Sequence, residues 1–251
     1  MLGGLSRLDH DTNRQMPSPS AFQAAIIDLD GTMVDTLGDF VAVLHHTLAD
    51  MGCHPLEVAR VSREFVSQVV GKGTDDLLRR SLAHAWGLPD DHPDAVAAVP
   101  EAWAHYKQHY ERLNGQHAEV FAGVPEGLAQ LCALGVPLAC LTNKPTAFAE
   151  QLLTIKGLRG HFAQVFGGDA FERKKPDPLP LLRTCEALGV APSQTLMVGD
   201  SSNDAQAARA AGCEVLLVTY GYNHGHDITE VPALAHVGRL DEVDWARWLR
   251  P

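Results

Sequence analysis

No apolar run in this 251-residue chain exceeds five residues. A membrane-spanning helix needs about 20, so the sequence offers none. Basic residues are in the minority: 20 Lys and Arg face 31 Asp and Glu, a formal net charge of −11. That balance excludes the basic face of a nucleic-acid binder and gives no attraction to an anionic membrane surface. Cysteine is scarce, with Cys53, Cys132, Cys140, Cys185 and Cys213 forming an odd set without a C-x-x-C pair. A disulfide framework is excluded, and reduced, buried thiols in a cytoplasmic protein are expected. Residues 1–20 lack the apolar core of a signal peptide and are expected to form a frayed leader. No internal repeat is present.

What remains is a composition able to build a core, at 45% hydrophobic and 20% charged residues. The length suits one or two domains. Short apolar runs at 24–30, 136–142, 164–168, 195–199 and 214–218 have the character of buried parallel strands. Amphipathic stretches at 124–134, 148–155, 179–188 and 204–211 lie next to the later runs. Strand and helix in alternation predict an α/β fold with a doubly wound parallel sheet. Between Val34 and Gly123 the alternation stops and only helical patterns appear, such as Leu37, Val41, Leu44 and Leu48. That interval is far longer than an ordinary βα connection of about 2–6 residues. We expect a helical cap domain at 36–119, inserted into a core formed by 21–35 and 120–251.

Polar groups that carry chemistry cluster where the strands end, the edge at which open α/β sheets bind ligands. Asp28 and Asp30 follow the first run, Thr142 and Asn143 the second, and Asp200 the fourth, with Asp204 just beyond. Two like charges about 4 Å apart repel by roughly 4 kcal/mol at an effective dielectric near 20. Such a crowd of carboxylates calls for a cation. Oxygen donors without a His or Cys cluster favour Mg²⁺ over zinc. An ionised aspartate is itself a nucleophile, so Asp28 can attack phosphorus without a base. Asp30 can then protonate the leaving oxygen and later activate water, a role for which crowded acids are suited. The Thr142 hydroxyl and Asn143 N–H can hold phosphoryl oxygens, and Lys175 can offset the accumulating charge.

Asp28-Leu29-Asp30-Gly31-Thr32, Thr142, Lys175-Pro176 and Gly199-Asp200 with Asp204 resemble, in order, the four motifs of the haloacid dehalogenase (HAD) superfamily. The resemblance spans about residues 22–222. It implies a Rossmann-like core with strand order 5-4-1-2-3 and a helical cap inserted after the first strand. It also implies Mg²⁺ held by Asp28, the backbone carbonyl of Asp30, and Asp200. Leu141-Thr142-Asn143-Lys144-Pro145, Lys175-Pro176-Asp177-Pro178, and Val70-Gly71-Lys72-Gly73 resemble the phosphoglycolate phosphatase branch. That resemblance implies hydrolysis of 2-phosphoglycolate, a small phosphorylated metabolite, by a monomer or homodimer. A broader sugar-phosphate phosphatase, a β-phosphoglucomutase-like mutase and a non-catalytic HAD-like binding protein are the rivals.

Several residues keep two readings. Asp204 is a first-turn helix acid, a metal ligand, or both. Lys144 either touches substrate or solvates a helix start. Gly71-Lys72-Gly73 either turns the chain between helices or closes as a cationic loop over a carboxylate-bearing substrate. His45-His46 and His224-Gly225-His226 are expected to be solvated, and Trp245 and Trp248 to lie on a docking helix.

Overall fold

The computed structural model describes residues 22–250, and the expected leader at 1–20 lies outside them. The chain begins with strand β1 (Ala24–Ile27), whose four residues are all buried. A tight turn leads to the two-residue strand β2 (Val34–Asp35). Five helices follow: α1 (Leu37–Asp50), α2 (Pro55–Val58), α3 (Arg63–Val69), α4 (Thr74–Trp86) and α5 (Pro93–Leu113). Strand β3 (Glu119–Val120) then pairs antiparallel with β2, Val34 opposite Val120. The chain therefore enters and leaves the helical stretch side by side. The sequence gives no strand in that interval, because two residues are too few for any periodicity to register.

The rest alternates as α6 (Val124–Ala133), β4 (Leu138–Leu141), α7 (Thr146–Ile155), β5 (Gln164–Phe166), α8 (Leu179–Leu188), β6 (Thr195–Gly199), α9 (Ser202–Ala211) and β7 (Glu214–Val218). Strand β8 (Ala235–Val237) and the short α10 (Trp245–Trp248) end the described chain. The main sheet has the order β5-β4-β1-β6-β7-β8 with every pairing parallel. Counting only the five strands read from sequence, this is the 5-4-1-2-3 order. Strand β8 is an addition: half-buried Ala-His-Val carries too little apolar signal to stand out.

Both faces of the sheet are covered, so its strands are apolar throughout rather than alternating. Ala25, Ile27, Cys140 and Val198 face one core with Leu128 and Leu152. Ile26, Leu141 and Met197 face another with Leu181 and Ala208. The helices between β2 and β3 share a separate cluster that includes Leu44, Val66, Leu78, Tyr106 and Tyr110, joined from α7 by Phe148. The two ends of the described chain are tied together, since the Phe22 N–H donates to the Trp248 carbonyl (2.7 Å) beside buried Trp245. All five cysteines are free, but only Cys140, Cys185 and Cys213 are buried; Cys132 is exposed and Cys53 half-buried. Cys132 lies on the outer face of α6, where an apolar sequence neighbourhood does not imply burial.

Candidate active site

Strand β1 lies between β4 and β6, where the sheet changes winding direction. A crevice opens there at the carboxyl ends of the strands. Asp28 is the first residue past β1, and its N–H still donates to the Val198 carbonyl at 2.9 Å. Thr142 follows β4 and Asp200 follows β6 in the same way. The sheet thus brings Asp28, Thr142 and Asp200 to one edge.

Lys175 reaches into this edge from the loop before α8. Its ammonium donates to the Leu141 carbonyl (2.8 Å) and Asp204 Oδ1 (2.7 Å), and lies 2.9 Å from Asp28 Oδ1. Three acceptors use its three N–H groups. Arg173 and Lys174 beside it stay at the surface or half-buried.

Asp204 is wholly buried. Besides Lys175, it accepts from the Ser201 N–H (3.1 Å) and Ser201 hydroxyl (2.7 Å), as the third-position acid of a capped helix. Its helix-start role and its contact with the cluster coexist. Asp200 accepts from the Thr32 hydroxyl (3.2 Å) and the Tyr222 N–H (2.6 Å). A Cβ on Gly31 or Gly221 would collide with the Asp200 carboxylate, so both positions require glycine.

Carboxylate oxygens of Asp28, Asp200 and Asp204 lie within 4.8 Å of one another. Without a metal, burial pushes the Asp28 carboxyl up to about 7; Lys175 opposes this and Asp204 adds to it. Burial and the same neighbouring acids push Asp200 well above the usual carboxylate range. One ammonium does not balance three carboxylates. A hard divalent cation such as Mg²⁺ fits this all-oxygen donor set.

The Asp30 side chain stands apart from that cluster. It pairs with Lys144, whose ammonium lies 2.8 and 3.1 Å from the two carboxylate oxygens. Lys144 is buried and sits over the rings of Phe40 (4.3 Å) and Tyr110 (5.0 Å). It does not solvate a helix start.

Asn143 is a strut. Its amide donates to the Lys175 carbonyl (2.8 Å) and the Gly71 carbonyl (2.9 Å), and accepts from the Lys175 N–H (3.0 Å). Asn203 also donates to the Gly71 carbonyl (3.3 Å). The loop between α3 and α4 is thereby held against the strand ends through Gly71, which has φ +106°. Lys72 is different: its residue is exposed and it lines neither of the two adjoining clefts.

Those two clefts meet at Asp30. One is lined by Asp28, Thr142, Lys175 and Asp200; the other by Phe40, Tyr106, Tyr110, Lys144 and Phe148; Asp30, Val70, Gly71 and Asn143 line both. Sequence reasoning missed Tyr110 altogether. Its only signal was helical apolar spacing, which gives core and cleft residues alike.

The histidine reading is corrected at His45 and His224. Half-buried His45 bonds to the Val61 carbonyl (2.8 Å), while His46 is exposed and stacks on His109. His226 is exposed, whereas both ring nitrogens of His224 are buried without a partner.

The sheet and its acidic crevice define the class: an α/β enzyme working at strand carboxyl ends. The chain belongs to the haloacid dehalogenase-like hydrolase family, whose model matches residues 25–218. The phosphoglycolate phosphatase of Thiobacillus denitrificans is 42% identical over 227 residues, covering 90% of this chain and 95% of that protein. That of Nitrosospira multiformis is 41% identical over 228 residues, covering 91% and 96%. A crystal structure described as a predicted phosphoglycolate phosphatase from Haemophilus somnus superposes with a TM-score of 0.79 at 29% identity, covering 88% of this chain and 96% of that one. Among the described residues no helix is long and apolar enough to cross a membrane.

Proposed function

We propose that this hydrolase is a Mg²⁺-dependent phosphomonoesterase that converts 2-phosphoglycolate to glycolate and phosphate in the cytoplasm, through an aspartyl-phosphate on Asp28. The observation that carries the chemistry is the contact of buried Asp28 with buried Lys175 beside Asp200 and Asp204. The substrate comes from the phosphoglycolate phosphatases that the chain matches over nearly its whole length.

Asp28, Asp200 and the Asp30 backbone carbonyl would hold the metal. Bound there, Mg²⁺ supplies charge neutralisation for a phosphoryl group. The Leu29 N–H and Lys175 both contact Asp28 Oδ1. Oδ2 is then the oxygen that bonds to phosphorus as the P–O bond to the leaving group breaks. Thr142 and the Asn143 N–H hold the non-bridging oxygens, and Lys175 offsets their charge. Asp30, at the junction of the clefts, gives a proton to the departing glycolate oxygen. It then takes one from water, which attacks phosphorus and returns the Asp28 carboxylate.

Residues 36–119 form a cap domain in this reading. Its Gly71–Lys72 loop rests on Asn143 and Asn203 and closes over the substrate. Gly71 takes part through its backbone; Lys72, being exposed, contributes long-range positive charge at the rim.

A panel of phosphorylated small molecules scored by kcat/KM with Mg²⁺ tests the proposal. The expected result is strongest turnover of 2-phosphoglycolate. A sugar phosphate turned over equally well would leave the phosphatase standing and remove its substrate. Substrate labelled at phosphorus tests the intermediate. In a rapid acid quench during turnover with excess enzyme, the phosphorus label is expected on the peptide containing Asp28, in a bond cleaved by hydroxylamine, and absent from Asp28→Asn; no labelled peptide in the wild-type protein removes the intermediate.

A further inference from the structure

Beyond the residues it shares with the phosphate side, the cleft past Asp30 contains a buried cation and a buried hydroxyl. The Lys144 side chain is 2% exposed, and its salt bridge is to Asp30. The other groups around its ammonium are the faces of Phe40 and Tyr110. The Tyr110 ring is wholly buried between Tyr106 (5.3 Å) and Phe148 (4.6 Å), and its hydroxyl has no hydrogen-bond partner. Burial holds that phenol well above its usual range, so at neutral pH it is a donor. A buried hydroxyl without an acceptor is costly, so a ligand that supplies one is favoured there.

We propose that Lys144 and Tyr110 form a carboxylate subsite that selects a leaving group carrying its own negative charge next to the ester oxygen. This rests on the phosphatase reading of the site and adds the source of its selectivity. The argument is one of donors without acceptors. Both hydrogen bonds of the Lys144 ammonium go to Asp30, its remaining side is walled by aromatic rings, and the Tyr110 hydroxyl in the same cleft has no acceptor. A carboxylate on the leaving group offers the ammonium a further counter-charge and the hydroxyl an acceptor. A neutral sugar alcohol brings no counter-charge.

Spacing agrees with a short substrate. The Lys144 N–H donates to Thr142 Oγ1 (3.2 Å), so the phosphoryl-holding and carboxylate-holding residues sit two apart on one loop. Asp30 lines both clefts between them. In 2-phosphoglycolate a single methylene separates the ester oxygen from the carboxylate carbon. The aromatic walls leave little polar surface for a longer polyol.

The test compares 2-phosphoglycolate with 2-hydroxyethyl phosphate, which replaces the carboxylate by an alcohol. Wild-type protein should favour the first by about 100-fold or more in kcat/KM. Lys144→Met should shrink that preference by about 10–100-fold, the span of a lost charge-assisted hydrogen bond. Tyr110→Phe, which keeps the ring and the packing, should shrink it by about 3–10-fold, the span of a neutral one. If Lys144→Met lowers both rates together and the preference survives, Lys144 only positions Asp30 and the subsite is overturned, while the phosphatase reading stands. If wild-type protein hydrolyses neither ester, the phosphatase reading falls and calorimetry with glycolate decides the subsite. Binding weakened tenfold or more in Lys144→Met sustains it; equal affinity in the two proteins overturns it.

Discussion

The two clefts that meet at Asp30 are built in opposite ways. The one at the strand ends is made of charges tied to one another and to the backbone, with an excess of carboxylate: Lys175 serves three acceptors and Asp204 accepts from Ser201 and Lys175. Its positions are set by backbone pairing in the sheet, which leaves each side chain little freedom. The other cleft is made of aromatic rings from α1, α5 and α7, with one ammonium and one orphaned hydroxyl among them. Its positions are set by helix packing, which can change with a side chain. Chemistry common to many substrates belongs in the first kind of site. Discrimination between substrates belongs in the second.

The sharpest way to break that division is Asp28→Asn. It removes the nucleophile but is close to isosteric. Turnover should fall by about 10⁴-fold or more, with the circular dichroism spectrum and glycolate affinity near wild type. If turnover survives, Asp28 is not the nucleophile. If turnover and glycolate affinity vanish together in a folded protein, the two halves are not separable.

How much of this was legible beforehand follows the same division. Asp28, Asp30, Thr142 and Asp200 could be read because each sits just past an apolar run, and a parallel strand points its carboxyl end at the crevice. The five main strands were legible for the same reason, whereas their order came only from the resemblance to the HAD superfamily. Lys175 was singled out by the proline after it. The aromatic half was not legible. Phe40, Tyr110 and Phe148 come from three distant helices, and helical spacing marks a residue as apolar-facing without saying what it faces. Lys144 was visible beside Thr142 and Asn143, but its burial depends on Phe40 and Tyr110 arriving from elsewhere. Lys72 drew attention by its charge between two glycines; the structure leaves it exposed and gives the contact to the Gly71 carbonyl.

A second test separates the charged half from the rest of the molecule by pH. The folded-state value of about 7 for Asp28 lies above that of an unfolded carboxylate, and Asp200 is shifted the same way. Between about pH 4 and 7 the folded protein then binds more protons than the unfolded chain. Stability from this source is present at low pH and lost as pH rises. His224 opposes it, since burial lowers its value and favours the folded state as pH rises. Comparing chelator-treated with Mg²⁺-supplemented protein cancels His224, which is common to both. Mg²⁺ at a hundredfold over its Kd should raise Tm by roughly 5–10 °C at pH 8 and by much less at pH 5. Identical Tm values with and without Mg²⁺ at both pH values would remove the metal from the site.

The smallest expected effect probes the boundary between support and chemistry. Ser201 starts α9 and gives both its N–H and its hydroxyl to Asp204, which in turn holds Lys175. It also lines the phosphate-side cleft, so its place alone does not say whether it touches substrate. Ser201→Ala removes the hydroxyl and leaves the N–H bond. If the hydroxyl only secures the helix start, the loss is about 1 kcal/mol of stability, and kcat changes by no more than a few-fold because Lys175 keeps all three acceptors. A drop of about 100-fold in kcat at unchanged Tm would instead place the Ser201 hydroxyl among the groups that meet the phosphoryl oxygens. The charged half would then extend one residue past Asp200, to the cap of α9.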